Sequence, residues 1–417
     1  MQLTSTESYD DITPLSEWMI LLFAVLCAFA VANVYMTQPL LDQIAATFHE
    51  KPDKMGIIIT ATQIGYALGL LLLVPLGDLF NRKRLVAGML LASSGLLTVS
   101  SFASSLYGLS CALGLVGFMA VVVQIIVAYA ASLSLPANRG KVTGTVTSGV
   151  VLGILLARMV SGVLAEWADW RVAIQFSAGA MLLMALLFIR IAPEDRQAQK
   201  PGAYLQLMGS VWTLWREIPE LRSRGVLALL IFMNFSVLWT SVVFPLSNAP
   251  FNLTTAQIGM FGLAGIAGAL AARKAGVLAD RGFGQRVTGV ALVLLVLSWG
   301  AIALGGSSLI ALTTGIIVLD FAVQAIHVTS QSLIFAKRPQ ATSRLVAAYM
   351  VFYSLGSATG AWLTTWVWGH FAWPGVCTLG AAISGLALLY WLLVDRNLHI
   401  PPADEFSPAY RRKTDSR

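Results

Sequence analysis

Long apolar runs dominate this chain, and they leave it few ways to fold. About 20 consecutive apolar residues cross the ~30 Å hydrocarbon core of a bilayer as a helix, and lipid tolerates only helices and closed barrels because every backbone polar group needs an internal partner. We read twelve such spans: Trp18–Leu41, Met55–Phe80, Leu85–Ala103, Tyr107–Leu133, Val142–Leu164, Val172–Ile191, Val226–Leu246, Ile258–Leu278, Val287–Leu304, Leu309–Phe335, Leu345–Trp368 and Gly375–Val394. Of the 417 residues 57% are hydrophobic and 11% charged, too few to coat a soluble protein of this size. The sequence therefore predicts an all-α membrane protein of twelve transmembrane helices in two six-helix bundles.

The first run is too long for the apolar core of a signal peptide. Acidic residues (Glu7, Asp10, Asp11, Glu17) precede it where a basic segment would be needed, so the run is expected to stay on the mature protein. Cys27, Cys111 and Cys377 sit inside apolar runs without metal-ligand spacing. They read as small hydrophobes, and neither a disulfide nor a metal site is expected. A net charge of +7 raises the question of nucleic acid, but the charges lie in the loops between spans. Among the 27 Lys and Arg residues, all but Lys51, Lys54, Arg158 and Arg171 fall in the even-numbered loops, the tails or the adjoining helix ends. The positive-inside rule makes that side cytoplasmic, with both termini inside.

One long connection, Ala192 to Gly225, divides the spans six and six. The predicted organisation is an N-terminal tail (1–16), a first bundle (17–192), a central linker (193–224), a second bundle (225–395) and a C-terminal tail (396–417). Matched residues recur between the halves at an offset of 200 to 203: Asn33 with Asn234, Gly56 with Gly259, Asp78 with Asp280, Gln124 with Gln324, and Trp170 with Trp373. Their common order indicates a duplicated bundle, an architecture suited to a transporter whose halves rock about a central site.

Polar residues deep in the spans locate that site. Asp320, Gln324, His327 and Gln331 are spaced i, i+4, i+7 and i+11 in the tenth span, within about 60° of one helix face. In the first span Tyr35, Gln38 and Asp42 form a similar stripe. Arg158 and Asp320 are the deepest charges, and each needs a partner because an intramembrane charge is costly. Their helices run in opposite directions and side chains lean toward the helix N-terminus, so the two are expected to pair or share water across the halves. The alternative is that Arg158 snorkels to the outer surface and Asp320 is held neutral. His327 shares the Asp320 face, and an imidazole titrates near neutral pH. Asp320, His327 and Arg158 are therefore the proton-coupling candidates. Asn33, Tyr35, Gln38, Gln124, Asn234, Trp239, Gln324 and Gln331 are the substrate-binding candidates. Tryptophans 362, 366, 368 and 373 read as an interfacial belt.

The segments "VPLGDLFNRKR" (74–84) and "GVLADRGFGQR" (276–286) resemble the two copies of the cytoplasmic loop signature of the major facilitator superfamily. The second keeps Gly276, Leu278, Asp280, Arg281 and Gly284; the first keeps Asp78, Arg82 and Lys83. Within that superfamily, "ANVYMTQPLL" and "LGILLARMVSGVLAEWADWR" resemble bacterial drug and sugar efflux permeases of the proton-antiporter branch. The resemblance implies that spans one, four, seven and ten surround the cavity, and that Asp78, Arg82, Lys83, Asp280 and Arg281 act in gating. It also implies a location in the bacterial inner membrane.

No G-x-x-x-x-G-K-[ST] loop is present to cradle a nucleotide, and the four histidines (49, 327, 370, 399) are scattered, so neither hydrolysis-driven transport nor an enzyme is expected. The expected function is proton-coupled efflux of a small amphipathic or polar organic solute by alternating access, in a monomer without cofactor, whose partners are the solute, protons and the lipid bilayer. An uptake symporter and a non-transporting receptor on the same fold are the alternatives.

Overall fold

The structure, a computed structural model, describes residues 16–134, 138–193, 204–337 and 342–397; the side chains of several residues within helices, Asp78 and Asp280 among them, are not described. Every regular element among the described residues is helical. The first half contains α1 (Glu17–Tyr35), α2 (Leu41–Phe48), α3 (Gly56–Leu72), α4 (Leu76–Leu79), α5 (Arg82–Ser101), α6 (Leu106–Ala120), α7 (Val122–Ser132), α8 (Arg139–Trp167) and α9 (Trp170–Ile191). The second contains α10 (Tyr204–Glu217), α11 (Pro219–Ser241), α12 (Val243–Ser247), α13 (Thr255–Met260), α14 (Gly265–Leu278), α15 (Gly284–Ala303), α16 (Leu309–Lys337) and α17 (Thr342–Leu393).

Helix starts follow local chemistry. Ser16, Asn81 and Ser105 each accept a hydrogen bond from a backbone N–H in the first turn of α1, α5 and α6. At α13, Thr254 and Gln257 form a reciprocal capping box, and Pro219 opens α11 where its missing N–H costs nothing. That start lies inside the segment expected to be linker, because Leu221, Ser223, Arg224 and Gly225 of the polar "PELRSRG" turn are buried while Pro219 and Arg222 stay exposed, one face of a helix.

Among the described residues, ten helical stretches are long and apolar enough to cross a membrane. One of them, Arg344–Leu393, has 50 residues, about 75 Å of helix and far more than one crossing needs. It reverses at Ala372, whose φ of 49° is left-handed, just before Pro374. Contacts with α11 confirm the hairpin: Gly225, Leu229, Met233 and Val237 meet Phe352, Gly356, Gly360 and Thr364 in rising order. Asn234 then meets Gly380 and Ser384, and Ser223 meets Asp395, in falling order. The expected eighth span is broken into α13, a short 3-10 turn and α14. Counting that broken pass and both arms of the hairpin reconciles the ten stretches with twelve passes.

The halves are sealed at one end, which we call distal; it is the end the charge pattern places outside. There Gln43 Nε2 donates to Thr255 Oγ1 (2.9 Å), the Ala256 N–H donates to Glu166 Oε2 (3.1 Å), and Thr60 Oγ1 donates to the Ala358 carbonyl (3.0 Å). Glycines make the approach close. Added Cβ atoms at Gly56 and Gly259 would overlap the Ala361 and Arg158 carbonyls. Toward the loop-signature end, α8 packs far less on α14 than on α13, and among the described residues α7 and α16 show no comparable packing.

A buried ion pair ties down the signature end of the second half. Arg224 Nη2 lies 2.8 Å from Asp395 Oδ2 with both side chains 1% exposed. Arg224 Nη1 donates to Thr288 Oγ1 (2.9 Å), and Asp395 accepts from Ser223 Oγ (2.7 Å) and Gln285 Nε2 (3.3 Å). The Arg224 Nε has no partner, so the pair is incompletely compensated. Arg224→Met or Asp395→Leu is expected to cost about 3–5 kcal/mol, by stranding the other charge, and the double substitution less than either. Unfolding in detergent checks this; strictly additive losses would refute the coupling.

Candidate functional site

Midway along the molecule, just inside the distal seal, Arg158 enters from α8 and is 2% exposed. Its Nε donates to Gln38 Oε1 (2.7 Å). Its guanidinium lies 3.8 Å from the centre of the Trp239 ring, with Tyr35 at 5.3 Å and Phe235 at 5.4 Å. This three-ring cage suits a desolvated cation, because aromatic faces carry negative charge density. Arg158 therefore does not snorkel; the close packing of α8 on α13 leaves no route to the surface.

Trp239 faces both ways. While one ring face meets Arg158, its Nε1 donates to Asp320 Oδ1 (3.1 Å) on α16. Arg158 and Asp320 make no direct ion pair; the indole touches both, its face on the guanidinium and its N–H on the carboxylate. Asp320 is 2% exposed. The convergence expected from helix direction is present, but it runs through an aromatic ring that the sequence marked only as lining.

The other candidates divide. The hydroxyls of Tyr35 and Tyr353, from opposite halves, are hydrogen-bonded. Gln38 is buried on Arg158, and Gln324, half-buried, packs over Gly268 of α14. His327 points away from Asp320: its Nδ1 lies 3.2 Å from Tyr349 Oη and its ring meets Phe232 edge-on at 5.0 Å. Asn234 is 0% exposed and spends its amide on packing, accepting from Trp299 Nε1 (2.6 Å) and donating to Ser384 Oγ (2.6 Å) and the Gly380 carbonyl (3.0 Å). That saturation assigns it to holding α11, α15 and α17 together. Asn33 is buried, and Gln124 and Gln331 are half-buried. At the signature loops Arg82 Nε donates to the Gly77 carbonyl (2.8 Å), Lys83 is half-buried and Arg281 exposed. Asp78 and Asp280 lie outside the described side chains.

Beside Arg158 is a cavity of about 10 Å³, lined by Gln38, Pro39, Arg158 and Trp239 with Val242, Val243 and Ile258. It has room for one water. Arg158 Nη2 is buried without a partner in this region.

A helical bundle in two halves with a charge-bearing centre is the architecture of one large class of carriers, and comparison decides it. The sequence profile of the Major Facilitator Superfamily matches residues 21–341. The chain belongs to this superfamily. It is 45% identical over 377 residues to the transporter YgaY of Escherichia coli (strain K12), covering 90% of this chain and 95% of the relative. Identity to the transporter SCO4007 of Streptomyces coelicolor is 30% over 362 residues, covering 87% of this chain and 84% of that one. Among solved structures, a bacterial homolog of the human lysosomal transporter Spinster, in an inward-facing and occupied conformation, aligns with a TM-score of 0.75 at 14% identity, covering 94% of this chain and 98% of that one. As a facilitator-superfamily member the chain is a multi-pass membrane transporter.

Proposed function

We propose that this transporter is proton-coupled and carries a small organic solute by alternating access across the bacterial inner membrane, with Arg158, Trp239 and Asp320 at its centre. The observation that carries the reading is the bridged pair itself: Arg158 belongs to the first half, Trp239 and Asp320 to the second. Rocking the halves apart at the distal end separates the charges, and rocking them together rejoins them. A carboxylate that gains and loses its cation once per cycle is a proton-coupling group by construction. Gating by Asp78, Arg82, Lys83, Asp280 and Arg281 at the signature loops completes the reading, with Tyr35, Gln38 and Gln324 beside the solute.

Efflux is the direction that the sequence resemblance implies. A proton symporter for uptake is the second reading, favoured by the unpartnered edge of Arg158, which suits a solute charge that accompanies the proton. Reconstitution tests the proposal: proteoliposomes enclosing a pH-sensitive dye are expected to show solute-driven proton movement with at least one member of a panel of amphipathic compounds, organic acids and sugars. Solute movement that is indifferent to an imposed pH gradient would overturn the coupling.

A further inference from the structure

We infer that Arg158 is the binding site for a monoanionic head group on the solute, and that the anion enters together with a proton on Asp320. This rests on the alternating-access reading above, in its symport form, and extends it to a substrate class.

Two observations converge on the anion. The first is an unfilled donor: Arg158 is 2% exposed, Gln38 takes its Nε, and Nη2 is left buried without a partner beside a small cavity. A buried guanidinium N–H without a partner carries a large desolvation cost, and carboxylate or sulfonate oxygens match its geometry. The second is the division of the cage between halves. Tyr35 and Gln38 come from the same half as Arg158, whereas Trp239 and Phe235 come from the other. Opening the distal seal withdraws the indole and uncovers the guanidinium from that side. The cavity, sized for water in the closed state, then widens between Arg158 and the departing rings.

Charge balance supplies the proton. In the sealed state Arg158 and Asp320 neutralise each other through Trp239. Once parted, Arg158 is an unpaired cation and Asp320 an unpaired anion, each in a site too dry to hold a lone charge cheaply. Few groups could compensate Asp320 instead. Its neighbours are Trp239 on α11, Arg158 on α8, and the glycines Gly265 and Gly268 on α14; Tyr35 lies against Arg158 and bonds to Tyr353, and His327, two turns along α16, is engaged with Tyr349 of α17. One anion on Arg158 and one proton on Asp320 neutralise the parted state. Rejoining the halves restores the internal pair and expels both. Binding of anion and proton is then mutually reinforcing, as linkage requires.

The test uses the purified full-length protein and a matched pair of probes, benzenesulfonate and its neutral analogue benzenesulfonamide, with 2-naphthalenesulfonate as a larger anion. Sulfonates stay ionised across the working pH range, so any proton taken up belongs to the protein. Titration calorimetry in two buffers of different ionisation enthalpy is expected to show an anion binding with uptake of about one proton, and the sulfonamide binding on the order of a hundredfold more weakly. Asp320→Asn should bind the anion without proton uptake. Arg158→Gln should lose anion binding, and Arg158→Lys should recover part of it; Asp320→Asn guards against misfolding of the arginine variants. Equal affinity for sulfonamide and sulfonate, anion binding without proton uptake in the wild type, or no binding of either anion by folded wild type would each overturn the inference. Anion and proton binding without flux in proteoliposomes would leave this site standing and remove the transport reading. Proton-coupled flux of neutral solutes alone would do the reverse.

Discussion

Asp320→Asn is expected to reduce solute-driven proton flux in proteoliposomes by about a hundredfold or more, because the substitution removes the acid of the central cluster while keeping its shape and its bond from Trp239. Asparagine still accepts from the indole Nε1, so the cage around Arg158 is preserved and solute binding survives. What disappears is the exchange between an ion-paired carboxylate and a protonated one. Solute exchange without a pH gradient, measured with the same vesicles, should persist in the variant. Equal proton flux in wild type and variant would move the coupling elsewhere, with Asp42 and His327 next in line.

Gly259→Leu is expected to abolish net transport and to hold the distal end open. A side chain at Gly259 has no room in the seal, since even a Cβ overlaps the Arg158 carbonyl. The helices involved continue into packing within their own halves, α8 against α1, and α13 through a 3-10 turn into α14, which lies against α16, so the substitution disfavours one state of the cycle and leaves the fold. Overpacking of this kind costs about 1–3 kcal/mol, enough to invert an equilibrium between two conformers of similar stability. Spin labels on Gln43 and Thr255, which are hydrogen-bonded across the seal, should report a short distance in the wild type and a longer one in the variant. Unchanged distances together with retained transport would show that the seal yields locally and that Gly259 is not a gate.

The sequence made the bundle legible because lipid imposes a one-dimensional rule: a helix must be long enough and apolar enough, and little else matters. It also placed Arg158 and Asp320 opposite one another, since helix direction fixes side-chain lean. It could not show Trp239 touching both. An indole in a polar stripe reads the same whether it lines a cavity or bridges two charges, and only the tertiary placement of α11 between α8 and α16 distinguishes these. Asn234 misled for a related reason: its match with Asn33 reflects the duplication, but its neighbours Trp299 and Ser384 come from later helices and absorb the whole amide. Arg224 and Asp395 went unread because they stand at span ends, where basic residues are expected from topology. The acid immediately after the last span was the available signal.

The distal seal and the central triad divide the labour of the cycle. At Gly56 and Gly259, equivalent positions of the two halves, the nearest groups are the Ala361 and Arg158 carbonyls and the Thr365 hydroxyl, none of which carries a charge. Such a surface is indifferent to what is being carried. Arg158, Trp239 and Asp320 are where composition of the surrounding medium enters. A lineage can therefore change cargo by altering a few cavity residues while inheriting the mechanics unaltered, and drift at the glycines would be far less forgiving than drift beside the arginine.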